Sequence, residues 1–289
     1  MYNKEQKQAF IDAEIKGQKI QNTAAMQWCE SAELIFEKDV SMFNPVQADI
    51  LLNHDKEMRF VVLQRYKNII THYVEWCINN KLCENVELLD YLTGITPTPN
   101  NVKNYTVENP AAAMEYIERI SPNFDLNFWN DCRVRILFIA SYIGLPGEEL
   151  MNAKREDIDL ERKVWYNKGT ALPIWDPFIP SIKKFLDCRG FIVPYTNGRN
   201  DIVRVDNYDT FVIPERVNKN GDVIPNKLTS FASIISMARK KYFDVYGEDF
   251  PFSKNDIALS GRFYRVRNGL EEITLTLSAE YQQWLKEFY

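Results

Sequence analysis

Apolar residues recur at helical spacing in several segments of the chain. In residues 58–80 the apolar positions follow one another at intervals of four, three, four and three residues, which predicts an amphipathic helix. The members of this stripe are Val62, Tyr66, Ile69, Tyr73 and Trp76. Residues 3–38, interrupted only by Gly17, predict one long N-terminal helix, and residues 278–289 predict a short C-terminal helix with one apolar face.

A second kind of pattern lies in the middle of the chain. Residues 134–143 are apolar almost all round, which predicts a helix buried on most sides. Gly-Leu-Pro-Gly follows at once, and Pro146 suits the first turn of a new helix, where its missing N–H costs nothing. Glu148 and Glu149 suit the positive end of that helix, so we expect it to continue through residues 148–160.

The remaining segments predict a small amount of β-structure among helices. Residues 163–174 alternate on either side of Asn167-Lys168-Gly169, which predicts a hairpin with glycine in its turn. Residues 191–227, rich in Asn, Gly and Val, predict a loop or an extra hairpin. Residues 110–120 predict a helix, and residues 229–247 predict a helix with a basic end.

The length of 289 residues and one polar segment predict two domains. Residues 92–110 are rich in Pro, Asn and Thr, a composition typical of a linker. We therefore predict a helical domain over residues 1–105 and a second domain over residues 106–289. The expected fold class is mainly α with a small β-sheet.

The chain is acidic overall but contains one basic segment. The net charge of −5 and the pI near 5.3 argue against nucleic-acid binding unless the charge is segregated. Between residues 227 and 270, eight Lys and Arg residues stand against four acids, so this segment is basic and the acidic surplus lies elsewhere.

Cysteine usage and hydropathy exclude several classes of protein. The five cysteines form no Cys-x-x-Cys pair, and His72, Cys77 and Cys83 fit no common zinc spacing, so we expect buried reduced thiols with no metal and no cofactor. His72 is expected at the surface. No apolar run approaches the roughly 20 residues of a membrane helix, and the N-terminus lacks a signal-peptide core, which leaves the cytoplasm as the expected compartment.

Two quoted segments carry a resemblance to a known family. "VLQRYKNIITHYVEWCINNKL" resembles the core-binding helix of the tyrosine recombinases, the phage-integrase family. "FIASYIGLPGEELMNAKREDIDLERKVWYNKGTALPI" is similar to the family's first catalytic block. The resemblance runs from about residue 35 to the end, with a poor match over residues 191–227. It implies a helical SAM-like core-binding domain, followed by an α+β catalytic-like domain, that together clamp double-stranded DNA.

The same resemblance implies that the catalytic residues are degenerate. Pro146 stands where the family has its first arginine, whereas Lys168 matches the hairpin lysine. Arg262 stands where the family has a histidine, and Arg265 matches the second arginine. The nucleophilic tyrosine of the family falls beyond Tyr289. Because cations stabilise the transition state of phosphodiester attack and covalent catalysis needs its nucleophile, we expect no enzymatic activity.

The resemblance implies that the chain can still contact DNA after the loss of the catalytic residues. Arginine suits such contacts because it can bind a phosphate through two hydrogen bonds. The candidate DNA-binding residues are Arg65, Lys154, Arg155, Lys168, Arg239, Lys240, Lys241, Arg262, Arg265 and Arg267. Solvated surface cations, or cations near a helix C-terminus, are the alternative interpretation of these residues. Glu271 and Glu272 are expected in a solvated loop.

We therefore expect a DNA-binding protein without recombinase activity that represses transcription in a phage or prophage. One alternative is a recombinase that still cuts DNA, and another is an accessory factor that uses the fold to bind a phage or host protein. The oligomeric state stays open. In recombinases the C-terminal helix packs on a neighbouring subunit, so the helix over residues 278–289 is expected either in that position or packed on its own chain.

Overall fold

The computed structural model describes residues 2–13, 19–54, 58–194, 198, 200–204, 216–217, 223–224 and 228–289. The chain forms two compact units. One contains the residues up to Asn104 together with Leu275–Glu287, and the other contains Tyr105–Thr274. This division falls one residue before the predicted boundary, and it groups the C-terminal helix with the first unit rather than with residues 106–289.

The first unit is helical in all its described elements. Its helices are α1 (Lys4–Ala13), α2 (Lys19–Trp28), α3 (Glu30–Phe36), α4 (Pro45–His54), α5 (Phe60–Asn79), α6 (Val86–Gly94) and the C-terminal α13 (Leu275–Phe288). The prediction of one helix over residues 3–38 is wrong, because the described residues form three separate helices and α3 ends at Phe36, before Glu37, whose φ is 53°. Gly17 lies outside the described residues. Residues 92–94, predicted as linker, form the end of α6.

Helix α5 confirms the amphipathic stripe of residues 58–80. Ile69 and Tyr73 are buried, whereas Arg65 and His72 lie exposed on the opposite face. The ring of Phe10 from α1 packs edge-on against Tyr73, with ring centroids 5.3 Å apart. The apolar face of α5 therefore forms part of the core of the first unit, as the spacing predicts.

A charged network lies inside this core. Lys7 on α1 is fully buried and pairs with Glu33 on α3 and with Asp39, whose Oδ2 lies 3.3 Å from the ammonium. The hydroxyl of Tyr73 donates to Asp39 Oδ1 over 3.1 Å, and the backbone N–H of Val40 donates to Glu33 over 2.9 Å. One ammonium thus faces two carboxylates in an apolar surrounding, which leaves an excess of negative charge.

The second unit combines helices with short antiparallel strands. Its helices are α7 (Pro110–Ile120), α8 (Trp129–Ile143), α9 (Gly147–Asn152), α10 (Ile179–Asp187), α11 (Leu228–Tyr246) and α12 (Lys254–Arg267). Its strands are β1 (Ile158–Asp159), β2 (Val164–Asn167), β3 (Thr170–Pro173), β4 (Gly190–Pro194), β5 (Asn200–Arg204), β6 (Arg216–Val217) and β7 (Val223–Ile224). The predicted fold class, mainly α with a small β-sheet, is confirmed.

Helix α8 is the centre of the second unit. Every residue of α8 except Asn130 is buried, which confirms the prediction made from residues 134–143. The buried guanidinium of Arg135 donates to Ser121 through Nε over 3.0 Å and through Nη2 to the Ser121 carbonyl over 2.9 Å. Burial lowers the pKa of the Arg135 guanidinium below its ordinary value. Helices α7, α11 and α12 surround α8. The guanidinium of Arg135 lies inside this core, and its hydrogen bonds to Ser121 satisfy its buried donors.

The predicted hairpin is confirmed. Strand β2 pairs with β1 and with β3, and Asn167 lies opposite Thr170. The two turn residues, Lys168 and Gly169, have φ values of 48° and 82°, as a two-residue type I′ turn requires. Residues 191–227, where the match to the family is poor, were predicted to form a loop or an extra hairpin. Strands β4 and β5 pair antiparallel and form such a hairpin. Residues 195–197, 199, 205–215, 218–222 and 225–227 of that segment lie outside the described residues.

Helix α9 is shorter than predicted. It ends at Asn152 instead of continuing through residues 148–160, because Ala153 takes an extended conformation. The carboxylate of Asp157 then accepts the backbone N–H of Lys154 over 2.6 Å and starts a separate helical turn. Asp157 is thus used as a cap, and the chain after it enters β1.

Candidate nucleic-acid interface

The chain turns sharply between α8 and α9, at residues 144–146. Helix α8 ends at Gly144, whose φ of 101° lies in the left-handed region that favours glycine. The N–H groups of Gly144 and Leu145 donate to the carbonyl of Ala140 over 3.1 and 2.9 Å, which closes the helix in the manner of a Schellman motif. Pro146 is exposed and extended, and it is the cap that precedes α9 rather than a residue of its first turn. The Leu-Pro-Gly corner therefore ends one helix and starts the next with almost no loop.

Arg265 on α12 lies against this corner. Its Nη1 donates to the carbonyl of Tyr142 over 2.7 Å, so a cation stabilises the C-terminal end of α8. A Cβ atom on Gly144 would lie 2.9 Å from the guanidinium carbon. The side chain of Arg265 is only 11% exposed. The predicted phosphate ligand is thus largely engaged in holding two helices of the protein together.

Glu271 binds both arginines of the second predicted block. Its Oε1 accepts from Arg262 Nε over 2.6 Å, and its Oε2 accepts from Arg265 Nε over 2.8 Å. The Glu271 side chain is 29% exposed and holds two ion pairs, whereas Glu272 is exposed. The expectation of a solvated loop is confirmed for Glu272 and wrong for Glu271, since the turn after α12 brings Glu271 back onto that helix.

The hairpin lysine has an acidic partner. Lys168 Nζ lies 2.5 Å from Glu149 Oε1 on α9, so the hairpin tip is joined to the helix after the corner. A cavity of about 340 Å³ lies beside this ion pair. Its walls are Leu145, Glu148, Glu149, Asn152, Ala153, Asp157, Tyr166, Asn167 and Lys168. Three carboxylates and one ammonium give the cavity a negative balance, which disfavours a phosphate.

Two further candidates have structural contacts. Arg155 donates through Nη1 to the carbonyl of Leu186 over 2.7 Å and is half-buried. The ammonium of Lys154 lies 3.2 Å from Glu156, and about half of the Lys154 side chain is exposed. Arg155 therefore fastens the turn before β1 to the end of α10, while Lys154 stays accessible to solvent.

The three cations of α11 lie inside the helix rather than at its end. Because α11 continues to Tyr246, the predicted basic end is wrong and no dipole argument accounts for these residues. Arg239 donates through Nη2 to the carbonyl of Phe250 over 2.9 Å, and Lys241 lies 4.0 Å from Asp131. All three side chains are exposed, and so are Arg267 on α12 and Arg65 on α5.

The two tyrosines nearest the C-terminus differ in environment. Tyr281 on α13 is buried and stacks on Trp284, with ring centroids 6.0 Å apart. Tyr289 is about half exposed. Within the first unit, Glu287 Oε2 accepts the backbone N–H of Lys103 over 2.7 Å, so α13 packs on its own chain in this structure.

The thiols are buried, as the sequence predicts. Burial raises the pKa of Cys77 to about 11 and also raises the pKa of Cys29 and of Cys132. The raised pKa values favour the protonated, less reactive thiol at neutral pH. Among the described residues, no cluster of three or more His, Cys, Asp or Glu side chains is arranged to hold a metal ion. Within the same ranges, every helix is too short or too polar to cross a lipid bilayer.

Glu271 is the residue that sequence reasoning missed. The signal that could have found it is Asn268-Gly269 after an arginine-rich helix end, since a glycine there reverses the chain onto the last turn. Gly269 has a φ of 69°, and the N–H of Leu270 donates to the carbonyl of Arg265 over 2.9 Å. An acid that follows such a reversal lies within reach of cations on the final turns of the helix.

The solved structures similar to this chain include an integrase and a recombinase. The Tn1549 transposon integrase, in complex with circular intermediate DNA, is 13% identical over 96% of this chain and 94% of that chain, with a TM-score of 0.43. The XerA recombinase is 13% identical over 99% of this chain and 96% of that chain, with a TM-score of 0.42. No match is found among curated protein sequences.

A second similarity covers part of the first unit. Residues 1–79 match the family model described as MrpR, N-terminal core-binding domain. This range includes α1 to α5, with the buried network of Lys7 and the amphipathic helix α5. The match agrees with the core-binding domain that the sequence predicts at this end of the chain.

Proposed function

We propose that this protein binds double-stranded DNA at specific sequences without cutting it and represses transcription as a phage or prophage regulator. In this proposal the protein resembles the recombinase-fold master repressor of SPbeta-type prophages. The proposal places the protein in the cytoplasm with the DNA that it controls. Repression is steric in this scheme: phosphate contacts set the register on the duplex, and contacts to base edges select the operator.

The geometry of the corner after α8 carries the proposal that DNA is not cut. Pro146 offers neither charge nor a side-chain donor at the position where the resemblance puts the first arginine. Arg265 is held by Tyr142 and Glu271, and Lys168 is held by Glu149. A phosphodiester at this corner would therefore meet carboxylates where its transition state needs preorganised cations, and the loss of one such donor costs about 10²- to 10³-fold in rate.

DNA binding is supported by the core-binding description of residues 1–79 and by the exposed cations. Arg65, Lys240 and Arg267 are exposed on three different helices. If these side chains bind phosphates, counterion release makes the affinity fall steeply with salt. The acidic remainder of the chain keeps non-specific affinity low.

The first experiment selects bound fragments from phage and random DNA and measures their affinity between low and moderate salt. We expect a preferred sequence and a linear fall of log affinity with log salt. Lys240→Ala or Arg65→Ala should weaken binding equally for all sequences and reduce the salt slope by about one, whereas exposed Lys4→Ala, outside the candidate set, is the matched control. Failure to retain DNA even in dilute buffer would favour the protein-binding alternative.

The second experiment separates a repressor from a recombinase. A suicide substrate that traps covalent protein–DNA adducts is incubated with the full chain, and we expect no adduct. An adduct that disappears in Tyr281→Phe or Tyr289→Phe would identify the nucleophile and would overturn the proposal.

A further inference from the structure

The carboxylate of Glu271 bridges two arginine side chains of α12. Each of its oxygens accepts one Nε–H, from Arg262 at 2.6 Å and from Arg265 at 2.8 Å. Arginines bind a phosphate in the same arrangement, with two guanidinium groups converging on two oxygens of one anion. Both arginines are partly accessible, with 28% of the Arg262 side chain and 11% of the Arg265 side chain exposed.

The backbone after α12 holds this carboxylate in place. The N–H of Gly269 donates to the carbonyl of Val266 over 3.0 Å, and the N–H of Leu270 donates to the carbonyl of Arg265 over 2.9 Å. These two bonds fold the chain back so that Glu271 follows directly over the last turns of the helix. The backbone at the end of α12 therefore positions Glu271 beside the two arginines.

We propose that Glu271 is a built-in competitor for DNA phosphate at the anion site formed by Arg262 and Arg265. This inference rests on the proposed function and adds a means of regulating it. A phosphate reaches the two guanidiniums only when the carboxylate leaves, so every DNA sequence bears the same penalty at this point. An operator offsets the penalty through its base contacts, whereas random DNA does not, and the contact thereby suppresses non-specific binding.

The charge balance supports this competition. The two arginines and Glu271 together carry a net charge of +1. Arg265 also faces the carbonyl of Tyr142 at the negative end of α8. Removing the carboxylate charge restores +2 at the site. Arg265 retains its bond to Tyr142, so the anion site would form on a guanidinium that is already oriented.

The test compares Glu271→Gln with Glu272→Gln, its exposed neighbour, as the matched control. Both variants remove one negative charge from adjacent positions, but only Glu271 binds the arginines. Affinity for a random-sequence duplex is measured over a range of salt. We expect Glu271→Gln to bind about tenfold more tightly than Glu272→Gln, with a salt slope steeper by about one, because one more phosphate contact forms.

A second probe makes the outcome independent of DNA. Inorganic phosphate is added at constant ionic strength, and the Nε–H resonances of Arg262 and Arg265 are followed by NMR. Phosphate should shift these resonances in Glu271→Gln at concentrations that leave the wild type and Glu272→Gln unchanged. If Glu271→Gln does not fold, Glu271→Ala replaces it, since it also removes the carboxylate charge and leaves the two guanidiniums without their shared acceptor.

Each result has one meaning. Salt-sensitive DNA binding by the wild type, with equal affinities and equal phosphate responses in the two variants, overturns the competitor and leaves the proposed function standing. Phosphate uptake only by the Glu271 variant, with DNA retained by none of the proteins, supports the anion site and contradicts the proposed function.

Discussion

Gly261 on α12 lies directly against the backbone of Tyr142 on α8. A Cβ atom at position 261 would lie 1.8 Å from the Tyr142 carbonyl oxygen and 2.6 Å from its carbonyl carbon. The same carbonyl oxygen accepts the Nη1–H of Arg265, one helical turn further along α12. The absence of a side chain at Gly261 is therefore what allows α12 to approach α8 closely enough for Arg265 to reach the corner.

Gly261→Ala should destabilise the second unit strongly. The new methyl group meets main-chain atoms, which cannot rotate away as a flexible side chain can, so helix α12 must shift. We expect a loss of about 3 kcal/mol in the free energy of unfolding, measured by chemical denaturation, at the upper end of overpacking costs. Gly94→Ala is the control, because a Cβ there meets nothing within 4 Å. An unchanged stability in Gly261→Ala would contradict the close approach of the two helices.

Arg265→Ala should lower stability more than Arg267→Ala. The first change removes the charge-assisted bonds to Tyr142 and Glu271 from a side chain that is 11% exposed, whereas Arg267 is exposed. Hydrogen bonds to charged groups contribute about 1.5–3 kcal/mol each, and partial solvent screening brings the expected loss to about 2 kcal/mol. For Arg267→Ala we expect a change within about 0.5 kcal/mol.

Thermal and chemical unfolding of both arginine variants check this prediction. The comparison also affects DNA measurements, because any loss of affinity in Arg265→Ala must first be corrected for the fraction of unfolded protein. Equal stabilities of the two variants would mean that Arg265 does not support the corner.

The sequence predicts the elements whose pattern is local and repeated. The stripe of α5, the all-round apolar run of α8 and the Lys168-Gly169 turn all follow from periodicity or from backbone preference, and the structure contains each of them. The single long N-terminal helix was wrong because residues 4–13, 19–28 and 30–36 each keep helical spacing although they form three separate helices. Periodicity indicates helical character, but it does not indicate where one helix ends and the next begins.

The candidate site was less predictable because its chemistry depends on long-range partners. A list of cations does not show that Glu149 pairs with Lys168 or that Glu271 pairs with Arg262 and Arg265. Separations of 19 residues in the first pair and 9 and 6 in the others arise from turns whose direction the sequence specifies only weakly. Charge counting therefore found the basic segment but not the acids that neutralise it.

Lys7→Met should destabilise the first unit. Removing the ammonium leaves the carboxylates of Glu33 and Asp39 buried without their cation, and breaking one side of a buried ion pair costs about 3–5 kcal/mol. Lys4→Met, three residues earlier at an exposed position of the same helix, is the matched control. Hydrogen exchange should accelerate in α1 and α3 of the Lys7 variant while the amides of α8 keep their protection. Unchanged exchange in α1 would contradict a stabilising role for the network.

The same network should make the stability of the first unit depend on pH through Glu33. Burial, the largest cause, raises the pKa of Glu33 above its ordinary value of 4.5, and the bond to Lys7 opposes this shift only in part. The folded protein therefore holds the Glu33 proton at pH values where the unfolded chain has released it. It follows that this contribution to stability is fully present below pH 4.5 and is lost as the pH rises through the raised pKa.

Glu33→Gln tests this sign directly, since glutamine fills the same space without titrating. The free energy of unfolding is measured from about pH 4 to pH 8 for the wild type and the variant. We expect the stability of the wild type relative to Glu33→Gln to be greatest at the acidic end and to decline with rising pH. Glu37→Gln, at an exposed position beyond α3, should give a much smaller pH dependence relative to the wild type. A wild-type advantage that grows with pH would show that Lys7 outweighs burial and would reverse the interpretation of the network.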